Sequence, residues 1–255
     1  MISFQNKHVL ITGAGGGIGR VLATTFGEAG AIVSGFDANG ETLEGAPVSY
    51  RGVFDMLDGD ATAAAIEALV DARGVPDVLI NNAGYTRSET LPDVDRAAWD
   101  TDIGVNLTGV FNVTRPLVDG MVTRGSGAVV FISSVNALGH FGNPAYSAAK
   151  AGILAYCRAI AVEYGKHGVR ANAICPGSVR TRAWDHRVAR DPAVLKKVTG
   201  LYPLGRMVEP QDVANAALFL ASPLAAGVTG VTMPVDAGLT AGSLPFLRDV
   251  LGVET

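Results

Sequence analysis

The sequence predicts an α/β protein with a doubly wound, seven-stranded parallel sheet. Seven short apolar runs alternate with helical patterns, and each run is continuous, as is typical of strands buried on both faces of a parallel sheet. The chain has 255 residues, of which 48% are hydrophobic and 17% charged, so it can bury a large core. We expect one domain over residues 1–255.

The apolar and helical patterns give the expected elements in order. Strands are predicted at 8–12, 31–37, 48–55, 77–84, 127–134, 169–177 and 230–236. Helices are predicted at 18–30, 61–74, 94–124, 145–165 and 210–222. Residues 178–209 lack clear periodicity, and a segment of that length in a compact domain is often a lid or binding loop. We expect a helical lid there.

Composition argues against several classes of function. The net charge is −4 and no basic run is present, whereas nucleic-acid binding usually needs a basic face. No window approaches the ~18 apolar residues of a membrane span, and the N-terminus has no apolar secretory region. The two cysteines, Cys157 and Cys175, suit a reducing compartment. We expect a cytoplasmic protein without a nucleic-acid or membrane partner.

A glycine-rich segment directly follows the first strand. It reads G-A-G-G-G-I-G-R, with Gly13, Gly17 and Gly19 in a G-x-x-x-G-x-G spacing after Thr12. The G-x-G-x-x-G spacing is not met, because its sixth position from Gly13 is Ile18. In doubly wound sheets this turn holds a dinucleotide pyrophosphate at the helix N-terminus. The segment therefore predicts a Rossmann-like dinucleotide site, with a plain tight turn as the alternative.

An acidic residue ends the second predicted strand. Asp37 lies near the position, about 20 residues onward, where a carboxylate binds the adenosine ribose. That carboxylate would accept hydrogen bonds from the ribose diol and would repel a 2′-phosphate. No Arg or Lys lies between Arg20 and Arg51 to bind such a phosphate. We therefore predict NAD as the cofactor, with NADP less favoured.

Tyr146 and Lys150 lie four residues apart in an alanine-rich run. Residues i and i+4 share one face of a helix, so the two side chains would point the same way. One interpretation is a helix start, with Asn143 as the cap, Pro144 in the first turn and a solvated lysine. The other interpretation is a reactive tyrosine–lysine pair.

The motifs together resemble the short-chain dehydrogenase/reductase family in its compact form. The resemblance extends from about His8 to Gly238, and its motifs are T-G-A-G-G-G-I-G at 12–19, N-N-A-G at 81–84, N-L-T-G from Asn106, I-S-S at 132–134, Y-S-A-A-K at 146–150 and P-G at 176–177. The segment D-A-G at 236–238 departs from the family's frequent D-G-G. We expect this change, at Ala237, to leave the chemistry unaffected.

The resemblance implies a set of cofactor contacts. Asp55, with Met56 beside it, matches the family's adenine-contacting aspartate, and N-A-G at 82–84 matches the turn beneath the adenosine ribose. The segment from Pro176 matches the nicotinamide-contacting region. The expected cofactor-binding residues are Gly13, Gly17, Ile18, Gly19, Asp37, Asp55, Met56, Asn82, Ala83, Gly84, Tyr146, Lys150, Pro176, Gly177, Val179 and Thr181.

The resemblance also implies the catalytic groups. Tyr146 would be the acid/base, its pKa lowered from about 10 by the Lys150 ammonium and the positive nicotinamide ring. Lys150 would also hydrogen-bond the nicotinamide ribose, and Asn106 would support a water chain to Lys150. We expect Ser134 to hold the substrate oxygen, although the family's common spacing to the tyrosine points to Ser133. The four histidines form no metal-binding motif, so no metal is expected.

The substrate is the least determined part of the prediction. Asn136, His140 and Trp184 are the candidate substrate contacts, and together they suggest a small molecule of the polyol, sugar or hydroxy-acid type. Arg182 and Arg187 are expected to be solvated rather than bound to a carboxylate. The loops expected to line the substrate site are 85–87, 136–143 and the lid after residue 179.

Two other functions are compatible with this fold. One is an NADP-dependent ketone or 3-oxoacyl reductase, and the other is an NAD-binding sensor without turnover. The resemblance further implies a homotetramer built from the helices at 145–165 and 210–222.

Overall fold

The computed structural model describes residues 2–86 and 89–253. In this part of the chain, seven parallel strands form one sheet in the order β3-β2-β1-β4-β5-β6-β7. The strands are β1 (His8–Thr12), β2 (Ile32–Asp37), β3 (Tyr50–Val53), β4 (Val78–Asn81), β5 (Gly127–Ile132), β6 (Val169–Pro176) and β7 (Thr232–Val235). The sheet winds outward in both directions from β1 and β4, which confirms the predicted fold class.

The helices lie between the strands and cover both faces of the sheet. They are α1 (Gly17–Glu28), α2 (Gly40–Glu44), α3 (Gly59–Arg73), α4 (Arg96–Ile103), α5 (Gly109–Arg124), α6 (Pro144–Tyr164), α7 (Asp185–Arg190), α8 (Val194–Thr199), α9 (Pro210–Ala221) and α10 (Leu244–Asp249). None of the helices described is long and apolar enough to cross a membrane.

Alternation along the strands divides the buried side chains into two cores. Val9 and Ile11 of β1 belong to the core that includes Leu22 of α1 and residues of α9. Leu10, between them, belongs to the opposite core with Val113 of α5 and residues of α6. Successive side chains of a strand point to opposite faces, so a continuous apolar run fills both cores.

The predicted helical region at 94–124 contains two helices rather than one. A π-helical turn, Gly104–Thr108, separates α4 from α5. The side-chain amide of Asn106 donates to the backbone carbonyl of Asp102 at 2.9 Å. That carbonyl is the acceptor that the Asn106 backbone would use in a regular α-helix, so the ladder widens at this point.

Other differences from the predicted elements are small. Helices α2 and α10 were not predicted, since five and six residues are too few to show a periodicity. The lid region contains α7 and α8. Several large apolar side chains remain exposed on this chain, among them Phe111, Val162, Phe246 and Val250.

Candidate active site

Two cavities open at the carboxyl ends of the strands. The helices that follow β1 and β4 cover opposite faces of the sheet, and ligands of open α/β sheets bind at such a switch point. The glycine-loop cavity, about 660 Å³, is lined by residues that include Gly13, Gly17, Asp37, Asp55 and Asn82. The tyrosine cavity, about 1010 Å³, is lined by residues that include Thr86, Ser134, Asn143, Tyr146, Trp184 and Arg187.

The glycine loop needs small residues for close packing. Gly13 has φ +65°, and a Cβ there would lie 2.9 Å from Ala83 Cα. A Cβ on Gly17 would lie 2.9 Å from the Thr181 side chain. Gly19 does not line the cavity, contrary to its predicted contact. A Cβ there would lie 2.0 Å from the Gly13 carbonyl oxygen, so Gly19 instead lets α1 pack on the loop.

Thr12 and Asn82 join the ends of β1 and β4. The Thr12 hydroxyl accepts hydrogen bonds from the backbone amides of Asn82 and Ala83, each at 3.0 Å. The Asn82 side-chain amide donates to the carbonyls of Thr12 and Gly13. Asn82, Ala83 and Gly84 all line the glycine-loop cavity. The structure thus gives Thr12 a positioning role that the sequence did not reveal.

Asp37 contacts the glycine loop as well as lining the cavity. Its carboxylate accepts from the Gly15 amide at 2.9 Å and from the Asn39 amide at 3.1 Å. A carboxylate has about four lone-pair positions, so acceptor capacity remains for a ligand. Asp55 and Met56 line the same cavity.

The two nearby arginines are engaged with backbone carbonyls. Arg20 donates to the carbonyls of Gly15, Thr42 and Gly45. Arg51 donates to carbonyls of α2 and of the turn after it. None of the described residues that line the glycine-loop cavity is Lys or Arg. Lining residues that the sequence did not assign to the cofactor are Thr12, Gly15, Gly16, Phe36, Ala38, Asn39, Thr42, Phe54, Leu57, Tyr85, Thr101 and Val105.

Tyr146 and Lys150 lie one turn apart on α6, as the spacing predicts. The Lys150 ammonium is 5.4 Å from the centre of the Tyr146 ring and donates to the Ile132 carbonyl at 3.1 Å. Lys150 is only 2% exposed, which excludes the solvated lysine. Asn143 precedes the helix with φ +51°, but its side chain does not cap α6 and instead donates to the Thr86 hydroxyl.

Burial controls the ionisation of both groups. It raises the pKa of Tyr146 to about 12, an effect that the hydrogen bond with Ser134 opposes. Burial also lowers the pKa of Lys150 to about 8. For the chain's own groups, loss of solvent around the phenolate dominates. The lowering expected from Lys150 together with the nicotinamide ring stays a prediction.

The two serines after β5 face different surroundings. The Ser133 side chain is 3% exposed and donates to the Lys150 carbonyl at 3.0 Å, so it points into the interior. Ser134 lines the tyrosine cavity, and its hydroxyl bonds to the Asn136 side chain and to Tyr146. Successive side chains of an extended segment alternate, so one serine reaches the cleft. This placement favours Ser134 over Ser133.

Asn106 is fully buried beside the tyrosine–lysine pair. Its side chain donates to the Tyr85 carbonyl and accepts from the Tyr85 amide, at 2.6 and 3.1 Å. A Cβ on Gly84 would lie 3.0 Å from Asn106 Oδ1 and 3.2 Å from Lys150 Nζ. Gly84 therefore leaves the space between the asparagine and the lysine open. The water chain proposed for Asn106 stays a prediction.

The predicted nicotinamide segment is only partly on the cavity walls. Gly177 lines the tyrosine cavity and Thr181 lines the glycine-loop cavity. Pro176 is buried at the end of β6, and Val179 pairs with Val208 in an isolated bridge and packs on the core. Neither residue lines either cavity: Pro176 is held in the sheet by its pairing with β7, and the bridge to Val208 holds Val179 against the core.

The predicted substrate residues divide in a similar way. Trp184 and Asn136 line the tyrosine cavity, but the Asn136 amide donates to Gly142 and Ser147 and so helps to fix the loop. His140 is exposed and does not lie on the wall, so its predicted substrate contact is not supported. Residue 87 of the predicted 85–87 loop lies outside the described residues.

Arg187 was expected to be solvated, and the structure corrects this. It lies over the Trp184 ring at 4.9 Å and donates to the Glu89 carboxylate at 3.0 and 2.5 Å. Hydrogen bonding to Arg187 holds the pKa of Glu89 below its usual range. The pair connects α7 of the lid to the loop after β4. Among the described residues, no group of three or more His, Cys, Asp or Glu could hold a metal ion.

Comparison with known protein families agrees with this geometry. Residues 13–240 match a family model described as enoyl-(acyl carrier protein) reductase. The chain is 38% identical over 98% of its length to an uncharacterized oxidoreductase of Schizosaccharomyces pombe, 96% of which is covered. It is 36% identical over 92% of its length to 2-keto-3-deoxy-L-fuconate dehydrogenase of Xanthomonas campestris, 80% of which is covered.

Solved structures give the same result. An oxidoreductase of the short-chain dehydrogenase/reductase family from Burkholderia thailandensis has a TM-score of 0.91 and 40% identity, with 98% of this chain and 99% of that chain covered. A gluconate 5-dehydrogenase from Burkholderia cenocepacia, in complex with NADP and tartrate, has a TM-score of 0.86 and 31% identity, with 94% and 97% covered. The chain belongs to the short-chain dehydrogenase/reductase family and is an oxidoreductase of that family.

Proposed function

We propose that the protein is an NAD-dependent oxidoreductase that transfers a hydride between nicotinamide and a secondary alcohol or carbonyl, on a polyol, sugar or hydroxy-acid type of substrate. The observation that carries this proposal is the convergence of Ser134, Tyr146 and buried Lys150 beside a cavity of about 1010 Å³. A hydroxyl donor and a tyrosine on one wall are suited to hold an alcohol oxygen and exchange its proton.

The glycine-loop cavity fits a dinucleotide. Helix α1 begins at Gly17 with no side-chain cap, so its first backbone amides are available to a pyrophosphate. Asp37 and Asn82 line the same cavity. When bound, the nicotinamide would accept or supply the hydride and bring a positive charge that favours the Tyr146 phenolate.

The chain's own residues would handle the oxygen and its proton. Ser134 would donate a hydrogen bond to the substrate oxygen and hold it against Tyr146. The Tyr146 phenolate would take the hydroxyl proton during oxidation and return it during reduction. Lys150, with its lowered pKa, would exchange the proton onward past Gly84 toward Asn106.

Two charges near the adenosine end support the NAD preference. Asp37 would repel a 2′-phosphate, and Arg20 already donates to three carbonyls. The similarity to a dehydrogenase solved with NADP keeps the other cofactor in the test. We expect kcat/KM with NAD to exceed that with NADP, and the reverse order would refute this assignment.

The test is absorbance of reduced nicotinamide on the purified protein, with NAD and with NADP, across polyols, sugars, hydroxy acids and secondary alcohols. Tyr146→Phe retains the ring and removes the hydroxyl, so turnover should fall at least about 100-fold. If Tyr146→Phe oxidised the substrate as fast as the wild type, the mechanism would be contradicted. NAD binding without turnover of any compound would favour the sensor alternative.

A reductase acting on a 3-oxoacyl or other ketone is the second candidate. This chain is 36% identical over 92% of its length to a 3-oxoacyl-(acyl carrier protein) reductase of Thermotoga maritima, and apolar residues such as Leu138, Phe141 and Leu239 line part of the tyrosine cavity. Reduction of acetoacetyl thioesters with NADPH, faster than oxidation of any alcohol with NAD, would favour it.

We further propose a cytoplasmic homotetramer. The exposed Phe111 and Val162, on α5 and α6, support an apolar contact between copies, since large exposed patches often mark interfaces. Light scattering should give a mass near four times 26.3 kDa, and a monomer would exclude this proposal.

A further inference from the structure

A short hydrogen-bonded chain reaches the wall of the tyrosine cavity from a buried carboxylate. The Thr86 hydroxyl donates to Asp102 Oδ2 at 3.1 Å, and it accepts from Asn143 Nδ2 at 3.3 Å. Thr86 and Asn143 both line the tyrosine cavity, as does Tyr146, three residues after Asn143 on α6. None of the proposed chemistry uses Thr86, Asp102 or Asn143.

Asp102 fixes the direction of this chain. It is 4% exposed on α4, and a carboxylate that is ionised can only accept hydrogen bonds. A buried carboxylate is costly unless it is hydrogen-bonded, which favours a persistent bond from Thr86. Burial raises the pKa of Asp102, and the bond from Thr86 opposes that rise. While the carboxylate is ionised, the single hydroxyl proton of Thr86 is committed to it.

Thr86 consequently faces the cavity as a hydrogen-bond acceptor. A threonine hydroxyl has one proton and two lone pairs, and Asn143 occupies one of the lone pairs. The remaining lone pair suits a donor on the substrate. Ser134 and Tyr146, which would hold the reacting oxygen, line the same cavity as Thr86, so the matching donor is a second hydroxyl of the substrate.

We propose that Thr86 is a specificity-determining residue that accepts a hydrogen bond from a second substrate hydroxyl, and that Asp102 and Asn143 are the positioning residues that orient it. The inference rests on the proposed function and narrows it to substrates with a hydroxyl next to the reacting carbinol.

The test compares two alcohols with one carbon skeleton, butane-2,3-diol and butan-2-ol, with NAD as the oxidant. The wild type should show the higher kcat/KM with the diol. Thr86→Val keeps the shape and removes the acceptor, so the diol-to-butanol ratio of kcat/KM should fall about tenfold. Thr86→Ser should restore the ratio. Asp102→Asn, which no longer dictates the hydroxyl direction, should give an intermediate ratio.

A matched control is available in the same loop. Thr90 donates to Asp93 at 2.6 Å, but this exposed pair does not line the cavity, so Thr90→Val should leave the ratio unchanged. The inference would be overturned if the wild type showed no preference for the diol, or if Thr86→Val lowered kcat/KM equally for both alcohols. In either case, oxidation of other alcohols would leave the proposed function standing. Failure to oxidise any alcohol would instead refute the proposed function.

Discussion

Alanine substitutions at two glycines of α1 should have opposite effects on stability. A Cβ on Gly27 meets no atom within 4 Å, so Gly27→Ala gains only helix propensity, about 1 kcal/mol. A Cβ on Gly19 would lie 2.0 Å from the Gly13 carbonyl oxygen and 2.8 Å from Ala14 Cα. Overpacking against backbone costs about 3 kcal/mol, so Gly19→Ala should be destabilised by about 2 kcal/mol net.

Thermal unfolding by circular dichroism gives the comparison. For a chain of this size 1 kcal/mol corresponds to about 2–4 °C, so Gly27→Ala should melt about 2–4 °C above the wild type and Gly19→Ala about 4–8 °C below it. Calorimetric titration should also show weaker NAD binding by Gly19→Ala, because the displaced carbonyl belongs to Gly13 on the cavity wall. A Gly19→Ala protein with the same Tm as Gly27→Ala would refute the packing argument.

Three further predictions follow from side-chain placement. Ser134→Ala should lower kcat about 10²–10³-fold. Ser133→Ala should keep kcat but lose about 1 kcal/mol of unfolding free energy, because its bond to the Lys150 carbonyl is removed. Steady-state kinetics and denaturant unfolding test both, and the reverse pattern would contradict the assignment of Ser134. Ala237→Gly should stabilise the fold by about 0.5–1 kcal/mol. At φ +51° the strain on alanine exceeds the extra conformational entropy that glycine loses on folding. An unchanged urea midpoint would contradict this. The pKa of Lys150 is about 8 in the folded chain and 10.5 in the unfolded chain, so between these values the unfolded chain binds more protons and stability rises with pH. The free energy of unfolding should therefore rise by about 2 kcal/mol between pH 8 and 9.5. An equal rise in wild type and Lys150→Met would exclude this contribution.

The predictable parts of the site are those set by short spacing in the sequence. The four-residue interval placed Tyr146 and Lys150 on one helical face, and the strand end placed Asp37 on the cavity wall. Both depend on helix or strand geometry within a few residues, which a single sequence reveals directly.

The missed parts depend on contacts between distant segments. Thr12 bonds to residues 70 and 71 positions away, and Arg187 pairs with Glu89 across 98 positions. The direction in which the Tyr146 pKa shifts depends on how fully the fold excludes water, and no local sequence pattern shows this. Gly19 was assigned to the cofactor because its motif does not distinguish contact with a ligand from contact with the loop.

The π-helical turn at Gly104–Thr108 makes part of the site depend on chain length rather than on residue identity. The backbone amide of Gly109 bonds to the carbonyl of Gly104, five residues back rather than four, so the turn holds one extra residue. A one-residue deletion there would let α4 and α5 join as a regular helix with their faces still aligned. The apolar faces of both helices would keep their packing, but the contacts of Asn106 with Tyr85 would be lost. In evolutionary terms, a lineage that lost one codon here would retain a folded protein with an altered site, and substitutions elsewhere in the helix would not restore it.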